Sequence, residues 1–329
     1  MPVDWQSDLE GRLRSEWHDG ELQVGDVEPF GDGHSGFTYL VEIESAKSRE
    51  RYVLRLSPPN TRIAGPTDIG RQGRIMAALG VAGIPVPRVL AMDSRASLGG
   101  RSFLLMDRAA GVPFNMARKQ GSDRQLVQSA VHLLHRLRSL PKGAIGIGDE
   151  PALDLDQELE RWHGLMERAP HGLHRRARTL RDCLAETRPE DGRPSLVHGD
   201  YHYGNMLFLR GGEISALLDW EIAAIGNPLL DLGCLAVASL RRRYEPEPNP
   251  TGSVDVPLAE LVSMYGAPPE QAAWFIGLSC YKYSAILGYN LMLHLSGKRR
   301  DSIYEQLIGT MQRLIDDGLT ILGHGIESR

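Results

Sequence analysis

Two polar side chains, Asp200 and Asn205, lie five positions apart within the stretch Leu196–Phe208 (LVHGDYHYGNMLF). The apolar residues at both ends of this stretch predict short β-strands, which leave the two polar residues on the loop between them. A carboxylate on such a loop can accept a proton from a hydroxyl group, and an amide oxygen suits Mg²⁺. One loop could therefore serve both an attacking oxygen and a metal ion.

A second carboxylate, Asp219, follows Asn205 by one predicted hairpin and ends the predicted strand Ile214–Leu218. A carboxylate in this place can bridge Mg²⁺ to the phosphate oxygens of a nucleotide. Protein kinases combine a loop H-R-D-x-x-x-x-N with a later metal-binding Asp in the same order. The spacing therefore predicts phosphoryl transfer, with Asp200 as catalytic base and with Asn205 and Asp219 as Mg²⁺ ligands.

A glycine-rich turn with the pattern G-x-G-x-x-G lies between two predicted strands near the N-terminus. In a dinucleotide-binding fold this pattern opens a helix, whereas here the β-rich stretch Phe37–Ile43 follows it. That order favours a loop folded over the phosphates of ATP. We therefore expect Gly31, Gly33, Ser35 and Gly36 to bind the nucleotide.

The elements that must position these residues change in type along the chain. The first third predicts a five-stranded antiparallel sheet with one helix, and beyond Gly111 helical periodicity dominates. The predicted strands are Leu22–Phe30, Phe37–Ile43, Arg51–Leu56, Ile84–Leu90 and Arg101–Met106, and the helix is Arg71–Leu79. The predicted fold class is α+β, a protein-kinase-like two-lobed fold. Its nucleotide-binding lobe covers residues 1–107, and its helical lobe, with the catalytic loop and acceptor site, covers 108–329.

These motifs together resemble the aminoglycoside phosphotransferase and choline kinase-like family. The nearest resemblance is to its acyl-CoA-dehydrogenase-linked branch, through V-L-R-x-x-P-P at Val53–Pro59 and D-W-E-x-A-x-x-G-x-P-L-x-D-L at Asp219–Leu232. It covers roughly Gly25 to Asp317. The resemblance implies phosphoryl transfer from ATP to a small-molecule hydroxyl. It also implies that Asp231 braces the catalytic loop and that the strand ending at Met106 leads into a hinge that contacts adenine.

Two positions depart from the usual kinase pattern, in which a strand Lys on the phosphates pairs with a helix Glu. Here the strand position is Arg55 and the matching helix position is Gln72. Arginine keeps the charge and adds a planar fork that can grip a phosphate at two points. Gln72 cannot form an ion pair, so we expect Arg55 to be held by another carboxylate or to be freed until nucleotide arrives.

Other polar residues near the motifs have structural interpretations. We expect His198 to shape the loop by hydrogen bonding, and His202 to be satisfied or solvent-facing rather than a metal ligand. Trp220 and Glu221 are interpreted as packing and loop support. Several polar residues on the apolar stretch Ala272–Leu295 are interpreted as mostly core, with one or two lining the acceptor pocket. They are Tyr281, Tyr283, Tyr289, Asn290 and His294.

The 329-residue composition is ordinary for a globular protein, with 42% hydrophobic residues, 24% charged residues and a net charge of −5. These values predict neither disorder nor nucleic-acid binding. Three dispersed cysteines without a C-x-x-C pair, and an N-terminus without an apolar segment, predict a cytoplasmic protein with reduced thiols. The stretch Ala272–Leu295 is long enough to span a membrane, but its polar residues favour a buried helix, so no membrane partner is predicted.

The identity of the hydroxyl acceptor depends on charge. Residues 268–300 contain one acid, Glu270, and four bases: Lys282, Lys298, Arg299 and Arg300. A polycationic aminoglycoside needs carboxylates, so this balance favours a neutral or anionic acceptor, for instance a hydroxyacyl-CoA as the nearest branch suggests. The acidic run Asp149–Glu160 could fold over the same cleft, so an aminoglycoside or other antibiotic stays an alternative.

Three other functions stay open as alternatives. A pseudokinase would bind nucleotide or CoA without transfer, a reading that Gln72 favours and the intact catalytic motifs oppose. A metallophosphatase would use the metal-capable residues His198, Asp200, His202 and Asn205, but it needs further His and Asp clusters along the chain. A protein kinase needs an A-P-E motif after Asp219, where the sequence has Gly226-Asn-Pro-Leu. The choice of ATP over GTP and the oligomeric state also stay open.

Overall fold

The computed structural model describes residues 5–30, 37–46, 48–59, 65, 68–244 and 252–328. The chain divides into two compact units. The N-terminal unit comprises Met1–Gly111, Pro141–Gly148 and Ser215–Ile222. The C-terminal unit comprises Val112–Leu140, Asp149–Ile214 and Ala223–Arg329. Asp219 therefore belongs to the N-terminal unit, although it follows Asp200 and Asn205 of the C-terminal unit in sequence.

The N-terminal unit is built on the predicted five-stranded antiparallel sheet. Its strands are β1 (Gln23–Pro29), β2 (Phe37–Glu44), β3 (Arg49–Leu56), β4 (Val89–Leu98) and β5 (Arg101–Asp107). They lie in the order β1-β2-β3-β5-β4. Helix α2 (Ile69–Val81) contains the predicted helix and extends it at both ends.

A further helix, α1 (Trp5–Glu16), has no counterpart among the sequence predictions. Only Leu9 and Leu13 on this helix are fully buried, and they join Val41, Leu54 and Phe103 in the core of the sheet. Two leucines four residues apart among polar neighbours give a weak periodic signal. The helix is stabilised by the packing of its two leucines on the sheet, and the residues of the sheet lie outside the local sequence of the helix.

The predicted strand Ile84–Leu90 is wrong over residues 84–88, because β4 begins at Val89. Pro85 and Pro87 lack the amide hydrogen that a strand ladder needs, and they keep this segment outside the sheet. The carbonyl oxygen of Pro85 instead accepts the amide hydrogen of Leu217 at 2.8 Å. That bond ties the segment ahead of Asp219 to the N-terminal unit.

The C-terminal unit is mainly helical. Its helices are α3 (Phe114–Ala117), α4 (Asp123–Arg138), α5 (Leu155–Met166), α6 (His174–Glu186), α7 (Leu229–Arg241), α8 (Leu258–Tyr265), α9 (Pro269–Leu295), α10 (Ile303–Gln306) and α11 (Ile308–His324). Short strands accompany them: β6 (Val112–Pro113), β7 (Ser195–Val197), β8 (Met206–Phe208) and β10 (Ala224–Gly226). Strand β9 (Ile214–Leu217) lies mostly in the segment that belongs to the N-terminal unit. Strand β7 pairs with β10, and β6 pairs with β8, both antiparallel.

Helix α9 runs through the core of this unit, as predicted for the apolar stretch. Helix α7 approaches it closely at Gly233, where an added Cβ would lie 2.3 Å from the carbonyl oxygen of Phe275 and 2.6 Å from Ser279 Oγ. The two helices can lie this close because glycine has no side chain. Among the described residues, no helix combines the length and apolarity needed to cross a membrane.

Candidate active site

The loop that carries Asp200 is held by a buried carboxylate from α7. Asp231, only 2% exposed, accepts the amide hydrogens of His198 at 2.7 Å and of Gly199 at 2.9 Å. Burial raises the pKa of Asp231, while His198 and the two amide donors lower it. Gly199 has a φ of +81°, a left-handed conformation that favours glycine. The observed bonds agree with the bracing that the family resemblance implies.

Both oxygens of the Asp200 carboxylate have partners within the C-terminal unit. Oδ1 accepts the hydroxyl hydrogen of Tyr283 at 2.7 Å and lies 3.9 Å from the ammonium of Lys282. Oδ2 lies 3.2 Å from His202 Nε2. Burial raises the pKa of Asp200, but His202, Lys282 and Tyr283 outweigh that effect and hold the pKa well below its usual range. The group is therefore ionised at neutral pH, as a proton acceptor must be.

The two histidines of the loop have the structural roles expected of them. His198 is fully buried, and its Nδ1 accepts the amide hydrogen of Asp200 at 3.2 Å. Nδ1 of His202 accepts the amide hydrogen of Gly204 at 3.0 Å, which leaves Nε2 as the protonated nitrogen that faces Asp200.

Asn205 ends the short 3₁₀ turn Tyr203–Asn205 that follows the loop. Its Nδ2 donates to the backbone carbonyl of Asp200 at 2.9 Å, an arrangement that fixes the side chain relative to Asp200. With the amide nitrogen engaged in this way, the amide oxygen is the end that suits a hard cation. The C-terminal unit thus brings the predicted residues Asp200 and Asn205 together.

The N-terminal unit brings together Arg55, on β3, and Asp219. Arg55 Nη1 lies 3.0 Å from Asp219 Oδ1, and Nη2 lies 3.1 Å from Glu221 Oε2. The carboxylates that hold Arg55 thus include Glu221, whose interpretation as packing and loop support was incomplete. Asp219 has a φ of +62°, a conformation that is uncommon for a residue with a side chain and often marks functional sites.

Of the remaining predicted nucleotide-binding residues, Met106 lies within the sheet. Met106, on β5, pairs with Val53 on β3 and Val89 on β4, and it is partly exposed. The glycine loop, including Gly31, Gly33, Ser35 and Gly36 as well as His34, lies outside the described residues.

Sequence reasoning missed two contacts of Asp200 on α9. Tyr283 was placed in a mostly core set, and Lys282 was counted only among the basic residues that bear on the charge of the acceptor. The available signal for Lys282 was a single lysine within a long apolar run, because a buried lysine needs a compensating partner. Nothing in the local sequence identifies that partner as the loop whose Gly199 lies 83 positions from Lys282.

Comparison with known proteins bears on this geometry. A model of the phosphotransferase enzyme family matches residues 26–256, more than half of the chain. The chain belongs to this family. The prediction of a phosphotransferase is thereby confirmed.

Among curated relatives of this phosphotransferase, acyl-CoA dehydrogenase family member 11 of Rattus norvegicus is 27% identical over 315 residues, which cover 90% of this chain. Acyl-CoA dehydrogenase family member 10 of Mus musculus is 29% identical over 216 residues, 63% of this chain. The chain spans 40% of the length of the first and 20% of the second. The resemblance to the acyl-CoA-dehydrogenase-linked branch is confirmed.

Solved structures show the fold of this phosphotransferase. A candidate aminoglycoside phosphotransferase from Ralstonia eutropha aligns with a TM-score of 0.75 at 21% identity, over 97% of this chain and 98% of that chain. A variant of aminoglycoside phosphotransferase APH(4)-Ia, in a ternary complex with AMP-PNP and hygromycin B, aligns with a TM-score of 0.61 at 17% identity over 94% and 99%. The predicted kinase-like α+β fold, with its β-rich N-terminal and helical C-terminal parts, is confirmed.

Proposed function

We propose that this phosphotransferase transfers the γ-phosphate of ATP to a hydroxyl group of a small-molecule acceptor. The observation that carries the proposal is the Asp200 carboxylate, held ionised on a loop that Asp231 braces through two amide hydrogen bonds. A base fixed in this way can orient a hydroxyl group and receive its proton. We propose a nucleotide-binding lobe over residues 1–107 and a lobe with the catalytic loop and acceptor site over 108–329.

The nucleotide-binding residues in this proposal are those of the glycine loop, namely Gly31, Gly33, Ser35 and Gly36, together with Arg55 and Met106. Arg55 supplies a cation on β3, and ion pairs with Asp219 and Glu221 orient its fork. We propose ATP as the nucleotide, and the APH(4)-Ia structures with ADP or AMP-PNP support it. A structure of aminoglycoside 2′-phosphotransferase-IIIa contains GDP instead.

Mg²⁺ fits the two oxygen donors, Asn205 and Asp219, that the sequence motifs single out. No group of three or more His, Cys, Asp or Glu side chains arranged for a metal occurs in the described part of the chain. An amide oxygen and a carboxylate are hard ligands of the kind that Mg²⁺ shares with nucleotide phosphates and water. Bound there, the ion would neutralise phosphate charge during transfer.

In the proposed mechanism, Asp200 Oδ1 is the atom that accepts the acceptor's proton. Tyr283 donates to this oxygen in the structure, so an acceptor hydroxyl would bind there in its place. Asn205 and His198 fix the backbone and side chain around Asp200 through their hydrogen bonds. Because the transfer itself needs little covalent help from the protein, this positioning and the local charges supply most of the rate.

We propose a neutral or anionic acceptor, with a hydroxyacyl-CoA as the specific candidate. The relatives named as acyl-CoA dehydrogenase family members support this class. Two acidic residues of α5 are paired with arginines: Arg188 lies 3.0 Å from Asp156, and Arg181 contacts Glu160. These carboxylates are therefore partly neutralised, which weakens the case for a polycationic acceptor. We further propose a cytoplasmic location, supported by three cysteines that form no disulfide.

The test measures ADP release with Mg-ATP across hydroxyacyl-CoAs, aminoglycosides, macrolides, choline and simple sugars. Asp200→Asn should lower kcat by about 100- to 10,000-fold, because it removes the general base, while ATP binding stays within a fewfold. Asp182→Asn is a matched control, since this exposed carboxylate on α6 pairs only with Arg181 among the ion pairs described. Full turnover by Asp200→Asn would refute the assignment of the base. Protection of a sensitive host against aminoglycosides would overturn the preferred acceptor class.

A further inference from the structure

Lys282 is a buried cation on α9 that the proposed mechanism leaves unused. Its side chain is 4% exposed, and Tyr281 and Ser284, its neighbours on the helix, are fully buried. Removing an ammonium group from water costs several kcal/mol unless strong partners replace the lost hydration. A lysine in this position therefore requires specific partners.

The partners of Lys282 lie mainly on the catalytic loop. Its Nζ donates a short hydrogen bond to the backbone carbonyl of Gly199 and lies 3.9 Å from Asp200 Oδ1. Nζ also donates to Cys234 Sγ at 3.5 Å, and it lies 5.1 Å from the centre of the Trp162 ring, where a cation–π interaction is favourable. One ammonium group thus contacts the backbone before the proposed base and faces its carboxylate.

Lys282 carries its charge at neutral pH. Burial alone would lower the pKa of Lys282, but the hydrogen bond to Cys234 and the charges of Asp200 and Glu158 outweigh it and raise the pKa. Burial also raises the pKa of the Cys234 thiol, so that group is protonated and neutral. The carboxylate that faces the ammonium group is that of Asp200, at 3.9 Å, and Glu158 accepts a hydrogen bond from Trp162 at 2.7 Å.

Gly199 is held on both its polar groups by two different helices. Asp231 on α7 accepts its amide hydrogen at 2.9 Å, and Lys282 on α9 donates to its carbonyl oxygen. On the nitrogen side of the peptide group that contains this carbonyl, the amide hydrogen of Asp200 bonds to His198 Nδ1. The peptide between Gly199 and Asp200 is therefore fixed at its oxygen and at its nitrogen, which sets the direction of the Asp200 side chain.

We propose that Lys282 is a positioning residue for phosphoryl transfer: its ammonium group fixes the Gly199 carbonyl and orients the Asp200 carboxylate toward the acceptor hydroxyl. This inference rests on the proposed function. It differs from a structural role in what it predicts. A residue that only stabilises the fold lowers the unfolding temperature, whereas a positioning residue lowers kcat in protein that stays folded.

The test compares Lys282→Met, which removes both the donor and the charge at similar length, with Lys282→Arg, which keeps both. Ser284→Ala is the matched control, because Ser284 is buried two residues away on α9 and donates to Met311 rather than to the loop. Each variant is assayed for kcat, for KM of ATP and of the best acceptor, and for its thermal unfolding midpoint. If Lys282→Met does not fold, Lys282→Gln replaces it.

We expect Lys282→Met to lose about 100-fold in kcat, the cost of misplacing a catalytic group by roughly 1 Å, with KM for ATP within twofold. Lys282→Arg should recover at least about tenfold of that loss, and Ser284→Ala should keep its kcat. A wild-type kcat in Lys282→Met would overturn this inference and leave the proposed function standing. Equal losses of kcat in Lys282→Met and Ser284→Ala would do the same. Wild-type protein without acceptor-dependent ADP release would instead overturn the proposed function and, with it, this inference.

Discussion

The close approach of α7 and α9 at Gly233 can be tested by adding a single methyl group. In Gly233→Ala, the new Cβ would lie 2.3 Å from the Phe275 carbonyl oxygen, about 1 Å short of ordinary contact. A backbone oxygen within a helix cannot rotate away, so the two helices would have to separate. Overpacking of this kind costs about 1–3 kcal/mol, and we expect the upper end.

Alanine also gains about 1 kcal/mol over glycine inside a helix, which leaves a net loss of about 2 kcal/mol. For a unit of this size, that corresponds to a fall of roughly 4–8 °C in the unfolding temperature. The turnover number should fall as well, because α7 carries Asp231 and α9 carries Lys282, and both bind Gly199. A separation of about 1 Å would disturb both contacts.

The assay is differential scanning fluorimetry alongside steady-state kinetics. Gly164→Ala on α5 is the control, because its added Cβ would meet nothing within 4 Å. That variant should gain up to about 1 kcal/mol from helix propensity and keep its kcat. The reasoning would be refuted if Gly233→Ala unfolded at or above the temperature of Gly164→Ala.

Two further predictions concern the nucleotide and the metal. Arg55→Met should raise the KM for ATP by roughly 10- to 100-fold, because it removes charge-assisted hydrogen bonds worth about 1.5–3 kcal/mol. The dissociation constant of AMP-PNP, measured by isothermal titration calorimetry, should rise by the same factor. An unchanged affinity for AMP-PNP would show that Arg55 does not bind the phosphates of the nucleotide. Chelation by EDTA should abolish turnover but leave the unfolding temperature of nucleotide-free protein unchanged, because Asn205 and Asp219 would bind Mg²⁺ together with phosphate oxygens. A lower unfolding temperature in EDTA would indicate a metal held by the protein alone.

Local spacing was enough to predict the loop that brings Asp200 and Asn205 together, and most of the elements around it. The five-residue interval from Asp200 to Asn205 and the strand before Asp219 are encoded in short segments, so pattern reading could place them. The strand Arg49–Leu56 and the helix Ile69–Val81 could be predicted for the same reason, because their signals also lie in short segments.

Contacts that depend on distant parts of the chain could not be predicted in this way. Glu221 pairs with Arg55 across 166 positions, and Tyr283 reaches Asp200 across 83. In both cases the residue type allows many partners, and only the tertiary fold selects one. Helix α1 was missed on the same ground, because its two buried leucines acquire meaning only from the sheet beneath them.

The hydrogen bond from Tyr283 to Asp200 Oδ1 also bears on hydrolysis. A water molecule that took the place of this hydroxyl group would gain one hydrogen bond for the one it breaks, without the further contacts of a whole acceptor molecule. An acceptor hydroxyl arrives with the binding energy of the whole molecule and can make the exchange. Under the proposed function, the protein would therefore hydrolyse little ATP while it waits for an acceptor, since its own tyrosine keeps the base occupied.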